Sequence, residues 1–68
     1  MNNPAKPCLI LKTAPGRYAA WNEDGRMVVW ASFWDLCDTA ARVRGYDPVP
    51  ANSRLGRTIT DKITKGYV

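Results

Sequence analysis

RYAAWNEDGRMVVWASFWDLCDTAARVRG, residues Arg17–Gly45, is the stretch where hydrophobic pattern, turn chemistry and helix caps point the same way. It reads as a β-hairpin running straight into an amphipathic helix. Asp24-Gly25 is a two-residue turn signal, because a type I′ turn needs positive φ at both central positions and Gly supplies it without steric cost. That loop sets Glu23 opposite Arg26, Trp21 opposite Val28 and Ala19 opposite Trp30. Alternation then puts Ala19, Trp21, Val28 and Trp30 on one face. Tyr18, Ala20, Met27 and Val29 fall on the other. Both faces are largely apolar, whereas a hairpin with one wet side is polar on that side.

The helix begins almost at once. Ser32 stands at the N-cap position with Asp35 three residues on, a variant of the capping box. Phe33, Leu36, Cys37, Ala40 and Val43 recur at helical spacing and form the expected buried stripe. Asp38 precedes Arg42 by four residues, the favourable order for a helical ion pair. Gly45 is the expected stop, and Pro48 follows it.

Outside this stretch the signals are shorter. Residues 1–7 carry two prolines and read as a flexible arm. CLILKT, Cys8–Thr13, is a strand bounded by Pro7 and by Pro15-Gly16, a type II turn pair. The simplest product is an α+β fold: a small three- to four-stranded antiparallel sheet with one α-helix packed on one face. Residues 46–57 read as a connecting loop. Thr58 to Val68 fits two readings. TITDKIT alternates like an edge strand, although Asp61 would share the face of Ile59 and Ile63. A helix would instead align Leu55, Ile59 and Ile63, with Gly66 as its stop. The strand is the favoured reading.

The 68 residues make one domain, 1–68, with a small core. Apolar residues at 46% and charged residues at 24% describe globular rather than disordered material. The net charge of +4 favours acidic partners. No run approaches the length of a membrane span, and MNNPAKP lacks the apolar core of a signal peptide. A cytoplasmic protein with no membrane contact is expected. The two cysteines, Cys8 and Cys37, read as small buried hydrophobes of a reducing compartment, with a disulfide as the alternative.

Chemistry is sparse. The chain contains no histidine, so a structural zinc site and imidazole acid–base chemistry both lack their usual residue. Cys37 has no histidine partner to activate it. Asp35 and Asp38 suit capping and the helix dipole better than catalysis. The glycines are scattered singly and form no phosphate-cradling loop. The expectation is a non-enzymatic protein without cofactor or metal.

The binding residues are therefore the aromatic and basic ones. One helix covers one face of a small sheet, so one hairpin face should stay open to a partner or a second copy unless the C-terminal segment covers it. Tyr18, Met27, Val29, Trp30 and Trp34 are the candidate anchors for a protein or ribonucleoprotein partner. Arg42, Arg44, Arg54, Arg57, Lys62 and Lys65 could instead form a phosphate-binding patch on nucleic acid. A homodimeric assembly subunit is a third reading.

PGRYAAWNEDGRMVVWAS followed by a helix resembles the compact hairpin-plus-helix proteins of phage and mobile-element accessory genes. Small anti-CRISPR inhibitors of type I systems are one such group. The resemblance spans roughly residues 15–45 and rests on layout and the two turn pairs. It implies a phage-encoded inhibitor acting in the host cytoplasm. Many such inhibitors are acidic nucleic-acid mimics. The basic charge here points instead to blocking the surface of a protein or protein–nucleic-acid complex.

Overall fold

The computed structural model describes residues 5–66. In chain order it contains β1 (Lys6–Ala14), β2 (Arg17–Asn22), β3 (Met27–Ala31), α1 (Trp34–Val43), β4 (Tyr46–Pro48) and α2 (Arg54–Gly66). The α+β class and the four strands match expectation. The sheet order is β3-β2-β1-β4. Two features differ. β4 runs parallel to β1, so the sheet is mixed, and a second helix replaces the expected C-terminal strand. Residues 46–57, expected as loop, hold β4 and the first turn of α2. Of the expected arm, residues 1–4 lie outside the described residues, while Lys6 and Pro7 belong to β1.

The β1–β2 turn is as read: Pro15-Gly16 joins the paired Ala14 and Arg17, and Gly16 has φ +70°. The β2–β3 turn is not. No described residue other than glycine has positive φ, so Asp24 does not take the type I′ conformation. Asn22 organises the turn instead. Its Oδ1 accepts the amides of Asp24 (2.9 Å) and Arg26 (3.1 Å). Its carbonyl accepts the Gly25 amide at 2.9 Å, and its own amide donates to the Arg26 carbonyl at 2.9 Å. Gly25 alone adopts the left-handed conformation, φ +78°. This is a three-residue loop, Glu23-Asp24-Gly25.

The longer loop shifts the register. Trp21 pairs with Met27, not Val28, while Ala20–Val29 and Ala19–Trp30 pair as expected. The irregularity makes Val28 a bulged residue. Pairing with Trp21 moves Met27 onto the face of Trp30, the reverse of the sequence expectation.

α1 lies on the face formed by Cys8, Ile10 and Ala20, against which Cys37 and Ala41 are fully buried. The expected stripe is mostly open. Phe33, Leu36 and Val43 are 66%, 56% and 79% exposed. The cause is steric. The helix approaches along its own small residues, the i, i+4 pair Cys37 and Ala41, which share the core cluster with the small Cys8 and Ala20 of the sheet. Leu36 or Val43 on that line would hold it off. Phe33, not Ser32, is the N-cap residue, and no side chain caps the helix. Gly45, φ +88°, ends the turn as expected, and its carbonyl accepts the Lys6 amide at 3.1 Å.

α2 covers the opposite face. Leu9, Ala19 and Ile59 are each 1% exposed, and the helix touches β1 and β2. Ser53 caps it: Oγ accepts the Gly56 amide at 3.0 Å and donates to the Pro50 carbonyl at 2.6 Å. Gly56 is buried, and a Cβ there would collide with the Pro50 carbonyl oxygen. Thr58, Thr60 and Thr64 return their hydroxyls to the carbonyls four residues back. The alternating Thr and Ile are thus accommodated in a helix, with Gly56 and Ile59 buried and Ile63 half-buried on its inner side, while Leu55 is 46% exposed.

Candidate interaction surface

Both faces of the sheet have a helical cover, since the C-terminal segment covers the second hairpin face, the alternative to leaving that face open. The cover is incomplete. α2 rests on β1 and β2, so the β3 side of its face is bare. Met27 and Trp30 are 52% and 54% exposed there. Arg17 starts β2, but its guanidinium lies 5.1 Å from the Trp30 ring centre, a cation–π contact. Arg17, Met27 and Trp30 line a shallow hollow of about 190 Å³.

The five expected anchors separate. Met27, Trp30 and Trp34 are exposed. Tyr18 and Val29 are half-buried and pack against the core on the α1 face. Leu36, Val43, Phe33 and Arg17 belong to the open surface and were not foreseen. For Arg17 a signal existed: it stands two residues before Ala19, the partner of Trp30, a diagonal cross-strand position within reach of a long side chain. For the α1 residues there was none, since their spacing matches a buried stripe.

The six basic residues do not converge on one face. Arg42 and Arg44 lie at the end of α1, and Arg54, Arg57, Lys62 and Lys65 lie on α2 across the sheet. Arg42 is engaged by Asp38 Oδ1 at 3.1 Å, the pair read from the sequence, and by Asp47 Oδ1 at 3.2 Å. Lys65 pairs with Asp61 at 3.4 Å. All three pairs are exposed and contribute little stability.

Cys8 and Cys37 are free, fully buried and part of one core cluster. Burial first, then the neighbouring Cys37, Asp38 and Asp47, push the Cys8 thiol up to about 11, with Arg42 opposing. Burial and then Asp38 push the Cys37 thiol up as well. Neither has the character of a nucleophile. A second hollow, about 220 Å³, lies among Lys6, Pro7, Asn22, Glu23, Asp24 and Tyr46, where Asn22 Oδ1 is already occupied by two turn amides. No described helix is long and apolar enough to cross a membrane. No family model, curated protein or solved structure matches the chain.

Proposed function

We propose that this is a non-enzymatic binding protein that occupies a surface of a larger protein or protein–nucleic-acid complex through β3 and α1. The observation that carries this reading is the exposed apolar bulk that β3 and α1 leave uncovered. Among the described residues, six of the seven large apolar side chains left exposed fall within residues 27–43, Met27 and Trp30 on the α2 face of the sheet and Phe33, Trp34, Leu36 and Val43 on α1 or at its N-cap. A folded chain with so few buried residues gains by burying them, and a partner supplies that burial. An inhibitor of the anti-CRISPR kind, working by surface blocking in a host cell, is the form that the hairpin-plus-helix layout suggests.

A second reading has its own support. α2 carries the exposed Arg54, Arg57 and Lys62 with no acidic partner among the described residues, positive charge suited to phosphates. Photo-crosslinking in the source cell separates the two. A benzophenone side chain at Met27 or Leu36 should give protein adducts, and one at Thr58 should not. Absence of adducts at Met27 and Leu36 overturns the first reading. Nuclease-sensitive adducts at Thr58 establish the second.

A further inference from the structure

The two edges of the sheet are treated differently. β4 is three residues long and ends at Pro48, with Pro50 close behind. Proline carries no amide donor, so this edge is closed to another strand. β3 reads Met-Val-Val-Trp-Ala, without charge or proline, and pairs on one side only, with β2. Its bulge falls at Val28, near the start, and leaves the paired run from Val29 to Ala31 regular. An unguarded edge of this kind offers backbone donors and acceptors to an incoming strand.

The side chains beside that edge state what such a strand should carry. The hollow at Met27 and Trp30 is apolar and sized for one side chain. The Arg17 guanidinium lies over Trp30, one strand nearer the open edge than its own backbone. Among the described residues it has no acidic partner. Glu23 and Asp24 belong to the turn at the other end of β3. Arg17 is therefore an unmatched positive charge beside Trp30.

We infer that the open edge of β3 takes an extended acidic segment of a partner protein as a fifth strand, with an apolar side chain in the Met27–Trp30 hollow and a carboxylate on Arg17. This rests on the binding-protein reading and specifies its mode. A second copy fits worse. It would bring its own Arg17 and a further +4 of charge to a site that lacks acid.

The test titrates the whole ¹⁵N-labelled protein with a blocked seven-residue peptide alternating Val and Glu. Two controls carry Lys for Glu, or N-methyl groups on alternate amides. Shifts should concentrate at residues 28–31 and the Trp30 indole. Removing two backbone bonds by N-methylation should weaken binding by roughly tenfold or more. The Lys peptide should bind more weakly than the Glu peptide. Arg17→Ala should cost about threefold and narrow that difference.

The inference is overturned by silence at residues 28–31 up to millimolar peptide. Equal binding of the Glu and Lys peptides, or of the N-methylated form, overturns it too. So does concentration-dependent change at β3 without peptide, which would mark a dimer. If the peptide fails while crosslinks still form at Met27 and Leu36, strand addition falls and the binding-protein reading stands.

Discussion

Gly25 and Gly16 show how alike two glycines look in a sequence and how differently they are held. Both have positive φ. Around Gly16 a Cβ would meet nothing within 4 Å, whereas at Gly25 it would stand 3.0 Å from the Lys62 Cβ and 3.1 Å from the Lys62 backbone carbon. Gly16→Ala should therefore cost the backbone term alone, about 1 kcal/mol. Gly25→Ala adds a clash with α2 and should cost about 2 kcal/mol or more. Urea unfolding of the two variants checks the order, and equal costs would mean that α2 does not sit on the turn. Asn22 is the other decisive residue. Its side chain takes two amides and thereby selects the longer loop that bulges β3 and turns Met27 toward Trp30.

At the scale of elements, the helices differ in how their apolar residues are spent. α2 uses its stripe as amphipathicity suggests, with Ile59 buried. α1 buries cysteine and alanine and leaves its larger residues outside. Ile59→Ala should destabilise by about 3 kcal/mol, the usual cost of a cavity under a helix. Leu36→Lys or Val43→Lys should change stability by less than about 0.5 kcal/mol, as for open surface positions. Thermal melts of the three variants decide this. A large loss from Leu36→Lys would mean that α1 packs on its conventional stripe and that the proposed surface does not exist.

For the whole molecule, the core is a thin double layer in which one sheet is shared by two helices. Its α1 side holds two buried thiols, which couples the fold to alkaline pH. Folding favours the neutral form of Cys8, whose pKa rises from 9.0 to about 11. Above pH 9 the unfolded chain loses that proton first. Stability is thus complete below about pH 9 and falls as pH rises through 11, by about 3 kcal/mol for a shift of this size. Cys37 is shifted in the same direction and adds to the loss. Melting curves between pH 8 and pH 11 should show this decline. Cys8→Ala should decline less steeply, because it lacks the thiol that the fold holds neutral. Parallel declines would mean that Cys8 is not held neutral by the fold.

Local chemistry was enough to read the three leading strands, both turn glycines, the position of α1, its Gly45 stop and the Asp38–Arg42 pair. Each depends on residues within a few positions of one another: alternation, a φ that only glycine takes easily, an i, i+4 spacing. The candidate surface was half legible for the same reason. Met27, Trp30 and Trp34 stand out as aromatic or apolar bulk, but whether a given side chain is open depends on which helix lies over it. That was settled by contacts distant in sequence. Small residues on β1 and β2 admit α1 along Cys37 and Ala41, which frees Leu36 and Val43. The Gly25 turn receives α2, which ends short of β3 and leaves Trp30 bare. The C-terminal helix could be read either way from its own residues, since alternating Thr and Ile suit a strand and the Leu55–Ile59–Ile63 spacing suits a helix. The apolar Leu9–Ala19 face of the sheet needed a cover, and burying Ile59 against it favours the helix.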